Sequence, residues 1–266
     1  MTLPLGKKLS ADIPEKSSPL EKTFAVLEFV AERGGATAKE ISDVLGYPMP
    51  SVYRLAKALV QTGYLVHLKD QSRYELGYKP HQLAVSLHQQ IGIPVQVKSV
   101  ISGVHQHLSM ASYFAVYRGA DVVIAYVVDS PANPRLKPLD FGFHEASHAT
   151  AFGKIMLAGM DEVQREQYLA VHEPIAMQEN TITDLARLSE HLQGVMLEGI
   201  AWENEEFVKG KTCAAVGVHN AAGRVIGAVA VSADTVTMTG QERQVETTLR
   251  NAANNVSRYF RMGQAH

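Results

Sequence analysis

Cysteine is almost absent from this chain: Cys213 stands alone in 266 residues. An intrachain disulfide is therefore excluded, as is every zinc motif built on several cysteines. Long apolar runs are missing too. Although 46% of the residues are hydrophobic, no stretch approaches the ~18 consecutive apolar residues of a membrane span. The opening segment, MTLPLGKKLSADIPEKSSPLEK, lacks a hydrophobic signal core. Its polar, Pro- and Ser-containing composition predicts a loose tail over 1–17 and a cytoplasmic protein with no membrane partner. Neither charge sign dominates: 25 Lys and Arg face 27 Asp and Glu, a net −2. Residues 1–90 hold 11 basic and 9 acidic side chains and the remainder 14 and 18. That weak asymmetry is compatible with nucleic-acid binding by the first part. The length suits one large domain or two ordinary ones.

What the first ninety residues do contain is a series of helix signals with stops. Leu20, Phe24, Leu27 and Val30 recur at helical spacing, and Gly34-Gly35 ends that helix. Thr37 opens a second helix with Glu40 three positions on, a capping-box spacing, and Ile41, Val44 and Leu45 face its core before Gly46. After GYPMP, a third helix buries Val52, Leu55, Leu59 and Val60, leaving Ser51, Arg54 and Lys57 outward and Tyr53 at the edge. YLVHL and RYELG then form a hairpin around KDQS, with Lys69 at its tip and Arg73 on its flank. Two short helices, a tight turn and a hairpin make a winged helix-turn-helix over 18–78. Its physical use is to dock the second helix in the major groove while the hairpin grips phosphate. The candidate DNA contacts are Thr37, Pro50 and Ser51 at helix starts, Tyr53, Arg54 and Lys57 along the recognition helix, and Lys69 and Arg73 on the wing.

YKPHQLAVSLHQQIG places Leu83, Val85 and Leu87 in a polar stretch, a linker helix over 79–93, and Pro94 marks a boundary. A helix over 95–108 follows, with Val97, Val100, Ile101, Val104 and Leu108 on one side, and then the period changes from 3.6 to 2. SYFAVYRGADVVIAYVVDS reads as two strands about Gly119, and PANPRLKP leads to another strand over 139–143. ATAFGKIMLAGM is helical, as are stretches near 161–172 and 183–198. TCAAVGVHN and RVIGAVAVSAD form a hairpin around Ala221-Ala222-Gly223. Thr239 with Glu242 caps a terminal helix whose apolar face includes Val245, Leu249, Ala253 and Val256. Hairpins with segregated helices predict an α+β domain over 94–266 on one antiparallel sheet.

TAKEISDVLG, PSVYRLAKALVQTGYL and YELG resemble the DNA-binding domain of the IclR family of bacterial transcription regulators. Two later motifs extend the resemblance to roughly residues 18 to 262. His148-Ala149-Thr150-Ala151-Phe152-Gly153-Lys154 matches the family's His-Ala-Thr-Ala-x-Gly-Lys, and Glu206, Gly210 and Cys213-Ala214-Ala215 match its second signature. The resemblance implies a recognition helix containing Ser51, Val52, Tyr53, Arg54 and Lys57, and a GAF-like C-terminal domain binding a small organic effector. It implies double-stranded DNA with a palindromic operator as partner, with homodimers through the N-terminal part and tetramers through the effector domains. Carried over by position, the effector site comprises Ala151, Phe152, Glu203, Cys213, Ala230 and Ser232. Three positions depart from the family pattern. Pro50-Ser51 stands where two hydroxyl residues are usual, removing a hydroxyl and an amide that hold phosphate. Phe152 is bulky where a small residue often sits, and Ala230 replaces one of two serines. The last two make the pocket more apolar and favour an effector with a ring or alkyl portion, such as an aromatic or carboxylate metabolite.

One motif points elsewhere. His144-Glu145-Ala146-Ser147-His148 spells His-Glu-x-x-His, which on a helix sets two imidazoles on one face around zinc beside a catalytic glutamate. The alternative function is therefore a zinc-dependent hydrolase, with Glu162, Glu166 or Glu173 as third ligand. Against it, 139–143 reads as a strand, which puts His144 in a loop, and Ala151 stands where the extended metal motif wants glycine. The expectation is a coincidental match, with no metal, cofactor or catalytic residue. Cys213 reads as a small strand hydrophobe. His219 shares its face but lies six residues, roughly 20 Å, along the strand, too far for a dyad. A winged domain used for protein contact is a third reading, which the outward Ser51, Arg54, Lys57, Lys69 and Arg73 disfavour.

Overall fold

A computed structural model describes residues 18–262; the expected tail over 1–17 lies outside the described residues. The chain divides into two compact units between Gly92 and Ile93.

In the first unit, helix α1 (Pro19–Glu32) opens on a capping box in which the Ser18 hydroxyl accepts from the Glu21 amide and the Glu21 carboxylate accepts from the Ser18 amide. Strand β1 (Ala36–Thr37) leads into α2 (Ala38–Leu45), where Thr37 and Glu40 repeat the device. Gly46 ends α2 at φ 69°, a left-handed conformation that favours glycine. Helix α3 (Met49–Gln61) starts directly after Pro48. Strands β2 (Leu65–Leu68) and β3 (Arg73–Leu76) form the wing around a 3-10 turn at Lys69–Gln71, and β3 lies between β1 and β2 in an antiparallel sheet. Helix α4 (Lys79–Ile91) follows. Val26, Phe29, Ile41, Val52, Leu59 and Tyr74 form the centre of one core. Each fully buried aliphatic side chain contributes about 1.5–3 kcal/mol of transfer free energy.

The buried face of α1 matches the expected one only at its C-terminal half, where Val30 is buried and Leu27 packs against the core. Ala25, Val26, Phe29 and Val30 point inward, whereas Leu20 and Phe24 are 64% and 50% exposed. Both stripes are apolar at helical spacing, so periodicity alone does not rank them. Val44 is likewise exposed on α2, Val60 is half-buried, and the linker helix α4 buries none of its residues.

The second unit begins with α5 (Val95–Leu108) and the hairpin β4 (Ala111–Arg118) and β5 (Asp121–Val128). Three helices follow, α6 (Ala151–Ala158), α7 (Glu162–Val171) and α8 (Leu185–Glu198). Then come β6 (Ile200–Asn204), β7 (Lys211–His219) and β8 (Val225–Asp234), the single turn α9 (Thr235–Met238) and the long α10 (Glu242–Met262). The five strands order as β5-β4-β8-β7-β6, with every pairing antiparallel.

Alternation along the strands divides the sheet into two faces. Phe114, Val216, Val229 and Val231 point to α5 and α10 and form the larger core. On the opposite face the cross-strand row Ala201–Ala215–Ala230–Tyr113 is mostly alanine. That low surface lets α6 lie against β6, β7 and β8 with every residue buried. Gly153 in α6 is required by close approach: a Cβ there would sit 2.2 Å from the Ser147 carbonyl oxygen.

Two expectations need correction, and one strand was not foreseen. Residues 139–143 are a turn, with the Phe143 amide bonded to the Asp140 carbonyl and Gly142 at φ 85°. Two backbone bonds to Ile124 tie the turn to β5 without making a strand. Thr239 does not cap α10; its hydroxyl donates to the Thr235 carbonyl of α9. Strand β6 carries no expectation from sequence, because its five residues alternate too briefly to stand out beside α8.

Candidate functional site

In the first unit, Tyr53, Arg54 and Lys57 are exposed together on α3, one turn apart along one face, opposite buried Val52, Leu55, Ala56 and Leu59. Pro50 is exposed in the first turn, and Ser51 is half-buried with its amide bonded to the Pro48 carbonyl. Neither therefore offers a free amide at this helix start. Thr37 spends its hydroxyl on Glu40, giving at 2.9 Å and accepting from the amide at 3.2 Å. The amide and hydroxyl bonds of Thr37 hold the Glu40 carboxyl below its usual range. Lys69 is exposed at the wing tip. Arg73 is not: its guanidinium turns back to donate to the Gly34 carbonyl at 3.2 Å and lies 3.6 Å from Glu75. A wing residue expected to reach outward instead ties the wing to the loop after α1.

In the second unit, the ladder sets Glu203 opposite Cys213 and Cys213 opposite Ser232, one polar row across β6, β7 and β8 on the α6 side. All three are buried. Two positions along, Ala230 stands opposite Tyr113, whose hydroxyl shares a 2.8 Å hydrogen bond with Ser232 and accepts from the Leu136 amide at 3.1 Å. Burial raises the Tyr113 phenol, so it stays neutral. Ala151 and Phe152, buried at the start of α6, complete the six positions. All six lie on α6 or on the sheet face it covers, with Glu203 ending the polar row at β6.

Glu203 accepts from the amides of Glu206 at 2.6 Å and Phe207 at 3.0 Å through Oε1. Its Oε2 is buried with no hydrogen-bond partner of normal geometry among the described residues. Burial raises the Glu203 carboxyl, against the Phe207 amide, the Cys213 thiol and the Glu206 amide. Burial, aided by the Glu203 charge, pushes the Cys213 thiol well up, so it is not a nucleophile at neutral pH.

Below this row lies a buried ion pair that site expectations had left out, although both residues fall within the quoted motifs. Lys154 of α6, fully buried, donates to Glu206 Oε1. Glu206 Oε2, Thr150 Oγ1 and His191 Nε2 are also buried without partners among the described residues. Burial, followed by the Lys154 charge, lowers His191, whose position in α8 gave no sequence signal.

The His-Glu-x-x-His letters do not form a metal helix. His148 sits in the 3-10 turn Ser147–Ala149 after Ala146 at φ 53°, while His144 is exposed in the preceding loop. The His148 Nε2 donates at 2.9 Å to the Ile175 carbonyl, which can only accept. That nitrogen carries its proton and is no metal ligand. Burial lowers His148 despite this bond, keeping it neutral. Among the described residues, no three His, Cys, Asp or Glu side chains gather as a metal site, and no helix is long and apolar enough to cross a membrane.

Comparison with known proteins joins the two halves. Residues 19–69 match the IclR helix-turn-helix domain, and residues 86–258 match the C-terminal domain of the bacterial transcriptional regulator IclR. The transcriptional regulator KdgR of Dickeya chrysanthemi is 25% identical over 249 residues, 92% of this chain and 80% of that protein. The Pca regulon regulatory protein of Pseudomonas putida is 26% identical over 222 residues, 82% of this chain and 75% of that one. The crystal structure of Thermotoga maritima IclR superposes with a TM-score of 0.75 at 23% identity, covering 91% of this chain and 98% of that one. An IclR homologue from Microbacterium hydrocarbonoxydans, solved with 4-hydroxybenzoate, superposes at 0.71 with 22% identity, again covering 91% and 98%.

Proposed function

This chain belongs to the IclR family of bacterial transcriptional regulators, and we propose that its second unit binds a small effector at the Glu203–Cys213–Ser232 row and thereby sets operator affinity. The zinc-hydrolase alternative falls with the His148 geometry. The carrying observation is the polar row itself, buried on a sheet face otherwise built mostly of alanine, with Glu203 Oε2 meeting no hydrogen-bond partner of normal geometry among the described residues. An unpaired buried acceptor costs about 1–3 kcal/mol, which a ligand hydroxyl seated there recovers. Ala151, Phe152 and Ala230 would take an apolar body, compatible with a ring like that bound by the Microbacterium homologue. The protein acts by binding rather than catalysis. The effector works only by its different affinity for the two DNA-binding states.

Arg54, Lys57 and Tyr53 would face the major groove, with Lys69 on adjacent phosphate. Thr37 and Arg73 are better read as holding the helix and wing in place, and Pro50 and Ser51 as shaping the helix start. Two copies related by a two-fold axis would read a palindromic operator in the cytoplasm. Leu20 and Phe24 on α1 and Leu83 and Val85 on α4 remain exposed within the first unit, apolar surface suited to a second copy. Tetramer formation through the effector units is the further extension. Footprinting on the DNA upstream of the protein's own gene at two salt concentrations tests the reading. A protected palindrome weakening with salt is expected. Metabolites that shift protection should lose their effect in Ser232→Ala while DNA binding persists. No protection at low salt with metabolite extract would sink it.

A further inference from the structure

At the other end of the same sheet lies a groove of about 720 Å³ that the effector reading does not use. Cys213 and Ser232 stand at one end of β7 and β8, whereas the groove is lined by Asn220, Arg224, Val225 and the Gly119–Ala120 turn at the other. Six residues of strand, roughly 20 Å, separate them. Its volume falls in the range of small-ligand pockets, about 300–1,000 Å³.

The walls are mostly aromatic and apolar. Tyr168 and His172 stack at 4.3 Å, Tyr117, Met160, Val171 and Ile226 add apolar surface, and Gln164, Gln167 and Asn220 contribute polar amides. Both tyrosine hydroxyls are already bonded: Tyr168 shares a 2.8 Å hydrogen bond with Ser147, and Tyr117 donates to the Met156 carbonyl. The groove therefore receives ring surface rather than phenol groups. Of its two acidic or basic side chains besides histidine, Asp121 has Oδ1 3.2 Å from His172 Nε2. Arg224 is exposed at the rim, its side chain without an ion-pair partner among the described residues. A guanidinium at the rim of a groove with aromatic walls can hold the carboxylate of a flat apolar body that enters it.

We propose that this groove is a second ligand site, for small aromatic carboxylates, distinct from the effector row. It is also mechanically joined to that row. Helix α6, buried throughout, carries Ala151 and Phe152 at its start and ends at Gly159 in the groove wall. A Cβ on Gly159 would meet Val225 at 2.6 Å, and Tyr168 grips Ser147 beside His148. A ligand that repositions Tyr117 or Tyr168 thus acts on both ends of α6, and coupling between the two sites would be reciprocal.

The test is photolabelling of the full chain with 4-azidobenzoate, followed by peptide mapping. Labels are expected in 117–121, 160–172 or 220–226, displaced by excess benzoate. Arg224→Gln, an exposed change that leaves the fold intact, should reduce them by about tenfold, as loss of a charge-assisted hydrogen bond predicts. Replacing the probe by 4-azidobenzamide should do the same. Ala120→Trp, which fills the groove from an exposed turn, should abolish them. Labelling confined to 147–156 and 203–215, labelling that survives Arg224→Gln, or labelling that benzoate does not displace would each overturn the proposal. The effector reading would stand or fall separately, on the operator response of Ser232→Ala.

Discussion

Lys154→Met and Glu206→Gln each remove one partner of a buried ion pair, and the structure sets both the size and the pH signature of the loss. The Lys154 side chain is 0% exposed and that of Glu206 8%, so a charge left alone cannot recover solvation in place. Breaking such a pair typically costs about 3–5 kcal/mol. A ceiling follows from neutralising the orphan instead: at pH 7, discharging an ordinary solution carboxylate costs about 3.7 kcal/mol and an ammonium about 4.6 kcal/mol. The two ceilings move oppositely with pH. At pH 5 an orphaned carboxylate is discharged for about 1 kcal/mol, and at pH 9 an orphaned ammonium for about 2 kcal/mol. Lys154→Met should therefore lose most of its penalty in acid, and Glu206→Gln part of its penalty in base. Urea unfolding followed by Trp202 fluorescence measures this, since the chain's one tryptophan lies on β6 and reports the second unit alone. The double variant should fall short of additivity by about 3 kcal/mol, because no charge is stranded in it. Single-variant losses below about 1 kcal/mol, or losses that move with pH in the same direction, would refute the reasoning.

Arg54→Ala and Lys57→Ala should each weaken operator binding and lower the salt slope by about one per lost phosphate contact, or leave the slope unchanged where the side chain reads a base; titrations at several salt concentrations decide. Thr37→Ala should destabilise the first unit by about 1 kcal/mol, with Thr37→Ser restoring it, and thermal melting of the two variants separates a cap from a DNA contact. His148 and His191 are both held neutral by burial, so the unfolded chain binds more protons than the folded one once pH falls below the ordinary histidine value of about 6.5. Stability of the second unit should accordingly decline as pH drops from about 6.5, and His148→Gln should flatten that decline in Trp202-monitored unfolding.

Local signals made most of the fold legible. The Thr37–Glu40 box, the Gly46 stop and the Gly119 hairpin each act within four residues, so the sequence reports them directly. The α10 face was equally clear, since one apolar stripe on a polar helix leaves a single way to pack. What failed had two solutions of similar local merit. Helix α1 offers Leu20/Phe24 and Val26/Phe29 as rival stripes, and only tertiary contact chooses between them. Arg73 is a basic wing residue by sequence, but the carbonyl that captures it belongs to a loop 39 residues away. The His-Glu-x-x-His letters fail for a related reason. Spacing predicts a shared helical face only if the backbone is helical, and Ala146 at φ 53° breaks that condition between the two histidines.

The same contrast bears on why a polar cluster persists in this core. Apolar residues of similar volume in place of Lys154 and Glu206 would often stabilise such a unit. They would also remove the group that fixes the loop after β6. Glu203 receives the Glu206 and Phe207 amides, Thr181 donates to the Glu206 carbonyl at 2.6 Å, and Lys154 anchors the Glu206 side chain to α6. One connected set of bonds thus holds β6, α6 and the 177–181 segment around the Glu203 carboxylate, whose second oxygen has no partner of normal geometry among the described residues. A hydrocarbon pair would fill the space and lose the tie between α6 and the loop that positions Glu203, loosening the acceptor a ligand donor would meet. The stability forgone at the ion pair is compatible with a site whose task is to change state when a donor arrives.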